Sequence, residues 1–253
     1  MKNKEQEMVY GRRPVAEALQ AGLVNRLFLQ RGIKGKIVEQ LIEMVNAQGI
    51  PWYSLETEKF RLLAKGFRQH QGVLAYLEPY SYTTPENLLE RAVKLQEKPF
   101  LLILDHIQDP GNFGSLLRTA EAVGVHGVVI PSRRAVGITA VVYKAASGAL
   151  SHIPVARVVN LVQTVKYLKK QGLWIFGSEA ESQDTAPYYK GDFSVPLALI
   201  IGSEGKGISP LVRKNCDFLL SIPMRGKVSS LNAGVAGALL MYEVFRCRAG
   251  WQV

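Results

Sequence analysis

Between residues 100 and 246 the chain repeats one pattern: a short, continuously apolar run, a polar or glycine-bearing loop, then a segment with apolar residues at helical spacing. The runs 100–104, 127–130, 153–155, 173–176, 197–201 and 218–222 read as strands, and 113–123, 139–150, 161–170 and 231–246 as helices. Strands that are apolar at successive positions have no solvent face. Separated by helices, they predict a mostly parallel sheet covered on both sides.

Residues 8–78 are patterned differently, with shorter and more mixed segments. A helix is expected over 15–19 after Pro14, a strand over 26–29, and a helix over 36–47, where Ile37, Leu41, Ile42 and Val45 keep helical spacing. Strands at 52–55 and 73–77 with a helix at 56–64 between them complete a small α/β unit. From Pro79 to Pro99 the character changes to Pro-Tyr-Ser-Tyr-Thr-Thr-Pro, a charged helix-like segment and Glu-Lys-Pro, which reads as a hinge. The expected organisation is therefore 8–78, a linker at 79–98, and a larger domain at 99–248.

A chain of 253 residues with 47% hydrophobic and 21% charged positions can bury a core, and the composition argues against long disorder. Its formal charge of +10 is unevenly placed. No Asp or Glu occurs from Ala122 to Ser178, where Arg133, Arg134, Lys144, Arg157, Lys166, Lys169 and Lys170 fall. In a second zone, from Gly205 to Tyr242, Asp217 stands alone against Lys206, Arg213, Lys214, Arg225 and Lys227. Such zones point to a polyanion, nucleic acid first, against the plainer reading of a solvated charged face. Arg12, Arg13, Arg26, Arg31, Lys34 and Lys36 offer the same choice in the amino-terminal unit. Cys216 and Cys247 share no metal-binding spacing, so neither zinc nor a disulfide framework is expected, and a reducing cytoplasm is. No apolar run reaches the ~20 residues of a membrane helix, and the charged start is unlike a secretion signal.

Ligands in open parallel sheets bind beyond the carboxyl ends of the strands, so the loops there hold the candidate chemistry. After the run at 100–104 comes Asp105-His106-Ile107-Gln108-Asp109-Pro110-Gly111-Asn112, then Arg118 on the following helix. Asp109 or Asn112 suits a helix cap, and Arg118 suits either solvent or a phosphate. Gly177-Ser178-Glu179-Ala180 and Gly202-Ser203-Glu204-Gly205-Lys206-Gly207 follow two later strands. The second of these is neither a P-loop nor Gly-x-Gly-x-x-Gly, which leaves a dinucleotide oxidoreductase without its fingerprint. Glu204 among glycines argues against a phosphate and for a group bearing positive charge or several donors, and a sulfonium-bearing cofactor suits it better than a dinucleotide. Ser229, Ser230 and Asn232 begin the last helix, as caps or as ligand contacts.

Together these loops resemble the SpoU/TrmH family of the SPOUT superfamily, S-adenosyl-L-methionine-dependent RNA ribose 2′-O-methyltransferases. The resemblance lies in Asn112 through Arg118 after Asp109-Pro110-Gly111, in Ile201 through Gly207, and in Ile222-Pro223-Met224 with Ser229-Ser230-Leu231-Asn232. Tyr10 through Leu19 and His70-Gln71-Gly72-Val73 extend it over the amino-terminal unit. It implies an α/β fold in which a small ribosomal-protein-like substrate-binding domain precedes a SPOUT domain with a trefoil knot, and it implies a homodimer. By the same resemblance Gly177, Gly202, Ile222, Met224 and Leu231 contact the cofactor, and Asn112, Arg118, Glu204, Ser230 and Asn232 form the catalytic and RNA-facing set, with no metal. The RlmB-like branch implies a guanosine of large-subunit ribosomal RNA as target. A transfer RNA or another ribosomal site, or a non-catalytic RNA-binding assembly factor, stands as the alternative. One departure is visible: where many members have Val-Ser-Val after the motif Asn, this chain has Ala233-Gly234-Val235.

Overall fold

In the computed structural model, which describes residues 8–20, 22–67, 69–226 and 230–250, the chain divides into two units between Ser81 and Tyr82. The first holds β1 (Met8–Tyr10), α1 (Arg12–Gln20), β2 (Val24–Gln30), α2 (Lys36–Ala47), β3 (Trp52–Leu55), α3 (Thr57–Leu63) and β4 (Val73–Leu77). The strand order is β1-β4-β2-β3, with β4 antiparallel to β1 and β2, and β3 parallel to β2. α3 lays Phe60 against Phe28 and Leu74, while α1 and α2 pack on each other. β1 has no signal in the apolar pattern because three residues carry no periodicity. Pairing with β4 makes it a strand.

The second unit opens with α4 (Pro85–Lys94), capped by the Thr84 hydroxyl, inside the stretch whose composition reads as linker. Its Leu88 is fully buried with Leu101, Ile103 and Val129, so apolar burial fixes this helix to the domain that follows. Then come β5 (Phe100–Asp105), α5 (Pro110–Ala122), β6 (Gly127–Pro131), α6 (Ala140–Ala146), β7 (Val155–Val158), α7 (Leu161–Lys170), β8 (Trp174–Ser178), β9 (Ala186–Pro187), β10 (Leu197–Gly202), α8 (Pro210–Arg213), β11 (Phe218–Ser221) and α9 (Ala233–Arg248). All paired strands are parallel, in the order β7-β6-β5-β10-β8-β11-β9. Every residue of β5 is buried, which is why its sequence does not alternate.

The chain lays β5, β6 and β7 toward one edge, then returns to place β8 beyond β10. The centre of the sheet is thus a topological switch point, where loops diverge and leave a crevice. α5 packs against α6 and α9, while Leu88 of α4, Leu161, Val165 and Leu168 of α7 and Val212 of α8 pack together. The single helix expected over 139–150 is broken, because Ser147 and Gly148 both take left-handed conformations and a 3-10 turn, Ala149–Ser151, follows. That turn displaces the next strand to Val155–Val158.

At the end of α9 the Arg248 guanidinium donates hydrogen bonds to the carbonyls of Phe193, Lys98, Pro99 and Val195 and lies 5.3 Å from the centre of the Phe100 ring. It ties the far end of the closing helix to the sheet. No helix among the described residues is long and apolar enough to cross a membrane.

Candidate active site

The carboxyl ends of β8, β10 and β11 open into a cavity of about 580 Å³. Gly202 sits on its wall because the backbone of Gly207 and Ile208 folds back so closely that a Cβ would lie 2.1 Å from the Gly207 carbonyl carbon. Paired hydrogen bonds between Ser203 and Gly207, of 3.1 and 2.9 Å, close this loop and present Glu204 at its tip. Only glycine fits such an approach.

Glu204 is the centre of a polar hub. Its Oε1 accepts from Asn112 Nδ2 at 3.0 Å, from Asn232 Nδ2 at 2.6 Å and from the Ala233 backbone N–H at 3.3 Å. Asn232 Nδ2 also lies 2.9 Å from Asn112 Oδ1. Each partner is placed by its own element. Asp109 caps α5 through the Asn112 N–H, which sets Asn112 in the first turn. Asn232 caps α9 by accepting from Gly234 and Val235 through its side-chain oxygen. Capping and site formation are one arrangement for Asn232, because the amide oxygen serves the helix and the amide nitrogen serves the hub.

Ile222, Met224, Ser230 and Leu231 line the same cavity. So the structure brings together Asn112, Glu204 and Asn232 by hydrogen bonds, and Gly202, Glu204, Ile222, Met224, Ser230 and Leu231 around one cavity. Ser229 lies outside the described residues.

Two expected residues sit elsewhere. Gly177 lies within β8, where a Cβ would come 2.8 Å from Cys216 Sγ and 2.9 Å from Ile208 Cδ1, so packing demands the glycine. Burial pushes that Cys216 thiol up to about 12, which makes it a packing group. The cavity begins one residue later with Ser178, Glu179, Ala180 and Glu181. Arg118 lines a separate cavity of about 350 Å³ with Glu121, Ser147, Gly148 and His152. At ~100° and ~1.5 Å per residue it stands about 240° around α5 from Asn112 and about 9 Å further along.

Four further residues near the site have no ligand role marked by the sequence pattern: Glu179 and Lys206 sit inside the two glycine-bearing loops, Glu181 one residue beyond the first of them, and Ser115 inside the Asn112–Arg118 stretch. Ser115 lies three residues after Asn112, one helical turn on. Its Oγ is 3.5 Å from where a Gly234 Cβ would stand, and Asn112 Oδ1 is equally close to that point. A side chain at 234 would therefore meet the hub, with Asn232 Oδ1 3.1 Å from its Cβ and the Ser115 hydroxyl beside it.

A parallel sheet with a cavity at its carboxyl ends and a carboxylate-amide hub on the lip defines a ligand-binding α/β enzyme scaffold. Residues 99–242 match the SpoU rRNA Methylase family, and residues 8–83 match the RNA 2′-O ribose methyltransferase substrate-binding family. The chain belongs to the SpoU/TrmH family and is an RNA 2′-O-ribose methyltransferase of that family. It is 45% identical over 248 residues to YacO of Bacillus subtilis strain 168, of the TrmH tRNA/rRNA methyltransferase family, covering 97% of this chain and 98% of that one. Among solved structures it is similar to the SpoU methyltransferase AviRb from Streptomyces viridochromogenes in complex with AdoMet, with a TM-score of 0.68, 26% identity, and coverage of 99% of this chain and 95% of that one. It is also similar to the TrmH/SpoU tRNA modifying enzyme of A. aeolicus, with a TM-score of 0.55, 26% identity, and coverage of 65% and 85%.

Proposed function

We propose that this protein methylates the 2′-oxygen of a guanosine in large-subunit ribosomal RNA, using AdoMet as methyl donor, in the cytoplasm and as a homodimer. The observation that carries the reading is the Glu204 hub on the lip of the cavity at the sheet's switch point. The amino-terminal unit, with its match to RNA substrate-binding domains, supports a structured RNA as substrate.

The residues present suit AdoMet. Ile201, Leu231 and Ala236 offer an apolar wall, and Glu179, Glu181 and Glu204 offer carboxylates to a cationic ligand. Gly202, Ile222, Met224 and Leu231 would hold it largely through backbone. When bound, AdoMet supplies a methyl group already activated on a sulfonium. The protein's share is then position, with as much as ~7 to 11 kcal/mol available from near-attack geometry. Asn112 and Asn232, locked by Glu204, together with Ser230 orient the ribose.

No His or Cys is among the described residues lining the cavity, and of its carboxylates Glu204 accepts three hydrogen bonds in the hub while Glu179 pairs with Arg213 at 3.4 Å, so we give none of them the 2′-hydroxyl proton. We assign to Arg118 the task of holding the adjacent phosphate and stabilising the developing alkoxide, since a guanidinium stays protonated. Because Arg118 lines a different cavity of its own chain, the proposal has it act on the partner protomer's site. The exposed apolar stripe of Val235, Leu239 and Tyr242 on α9, 50%, 41% and 51% exposed, supports a dimer face beside α5. The proposal includes the family's knotted path with α9 as the threaded segment, which Gly237 supports: a Cβ there would lie 2.3 Å from Leu116 Cδ2.

Mapping ribose methylation in RNA from cells lacking the protein tests the target. Loss of one large-subunit guanosine methylation is expected. Loss confined to transfer RNA would move the substrate, and an intact pattern together with no AdoMet binding by calorimetry would leave an assembly factor.

A further inference from the structure

The carboxyl rim of the sheet has two halves. Loops after β8, β10 and β11 enclose the cavity, whereas the loop after β6, residues 132–138, lies two strands away from β10 on the β5 side. At about 4.8 Å per strand, β6 and β10 themselves stand about 10 Å apart in the sheet.

This β6 loop is held unusually firmly for an exposed segment. Ser132 N–H donates to the Val158 carbonyl at 2.8 Å, and Val136 N–H to the Ile107 carbonyl at 3.0 Å. Gln108 Nε2 reaches the Arg134 carbonyl at 3.4 Å, and Ile138 N–H donates to the Tyr82 hydroxyl at 2.9 Å. Arg157 buttresses the loop from outside, donating to the Ser132 carbonyl at 3.1 Å with its guanidinium 5.3 Å from the Tyr82 ring centre. Two of these ties go to Ile107 and Gln108, in the loop that leads into Asn112.

The loop displays Arg133 and Arg134, both exposed, with no carboxylate within ion-pair reach of either among the described residues. Arg134 has φ 57, a conformation that glycine or asparagine adopts at lower cost. An arginine is thus kept where the backbone favours a residue without its charge, in a rigid frame, inside the zone that lacks acidic residues.

We infer that Arg133 and Arg134 form a preorganised cationic clamp for the RNA backbone, taking phosphates next to the nucleotide that enters the site. The inference rests on the RNA methyltransferase reading and adds to it the acceptor-side path of the RNA. Arg157, by contrast, is the loop's buttress. Phosphate contacts position an RNA without reading its sequence, so the clamp sets register and affinity but not the target base.

The test compares full-length wild type with Arg133→Ala, Arg134→Gly and the double variant, in filter binding of in vitro transcribed large-subunit ribosomal RNA over a salt series. Each substitution is expected to lower the slope of log K against log salt by about 1 and to weaken unrelated RNA equally. AdoMet affinity by calorimetry and kcat at saturating RNA should stay at wild-type values while KM for RNA rises. Arg134→Gly relieves the left-handed backbone, so its melting temperature should hold or rise while RNA binding falls. That combination separates a clamp from a structural role. A double variant with wild-type slope and KM overturns the inference. A wild-type protein that transfers no methyl group to RNA overturns instead the activity reading, and the salt slopes still decide the clamp.

Discussion

Asn232 Nδ2 stands 2.6 Å from Glu204 Oε1 while Asn232 Oδ1 accepts the Gly234 and Val235 N–H groups. One side chain therefore starts the closing helix and fixes the carboxylate on the cavity lip. Its two ends thus divide helix capping from the hub to which we assign the ribose.

Asn232→Ser keeps a good helix cap but loses the amide that reaches Glu204. Stability should change by less than about 0.5 kcal/mol, because Ser and Asn cap alike. Methyl transfer should fall by about 100-fold, the scale of a small misplacement in a positioned site. Thermal melts and single-turnover transfer from tritiated AdoMet measure both, and activity within threefold of wild type would remove the hub from the mechanism.

Arg118 and the Glu204 hub occupy different cavities of one chain. If Arg118 serves the partner's site, Arg118→Ala and Asn232→Ala are each inactive alone, yet their mixed dimer holds one intact site. Random co-assembly should then recover about a quarter of wild-type activity. No recovery beyond the single variants, with mixed dimers verified by mass, would return Arg118 to its own chain.

Ser115 Oγ lies 3.5 Å from where a Gly234 Cβ would be. Ser115→Ala should lower methyl transfer about tenfold, in the range of a lost transition-state hydrogen bond. Gly234→Ser in that background should restore most of it, since the new hydroxyl enters the same space. Wild-type rates in Ser115→Ala would show that the hydroxyl there is idle.

His126 links the sheet to pH. Burial lowers its pKa below the ordinary imidazole value, against the opposing pull of the Glu97 carboxylate 3.1 Å from Nε2, with the Arg248 guanidinium adding to the lowering. Its Nδ1 accepts the Phe100 N–H at 3.1 Å, which requires that nitrogen unprotonated. As pH falls below the unfolded value of about 6.5, the unfolded chain takes up the proton first, so stability declines until the folded pKa is passed. Urea midpoints at pH 7 and pH 5 should differ more in wild type than in His126→Asn. Equal differences would assign the pH dependence elsewhere.

Much of this was legible along the chain. The fully apolar runs forecast buried parallel strands, because burial on both faces removes alternation, and β5 is buried at every residue. Asn112, Glu204 and Asn232 stood out as polar groups at strand ends and helix starts. Arg118 stood out as well, but spacing along a helix does not say which cavity the far side meets. The helix expected through 139–150 fails at Ser147 and Gly148 for a local reason, two successive left-handed residues, that apolar period alone misses.

By itself the sequence determined the long apolar strands and the main helices of the larger domain and the residue types at their ends, since those follow from the spacing of apolar side chains and from capping within a few residues; β1, β9 and α8, too short to show a period, it did not. Only the tertiary structure decided that β10 inserts between β5 and β8. That strand order joins Glu204 to Asn112, 92 residues away, and to Asn232, 28 residues away. Strand pairing is a non-local choice among similar apolar runs, settled by packing over the whole sheet. No window of the chain contains the information that brings those three side chains to one oxygen.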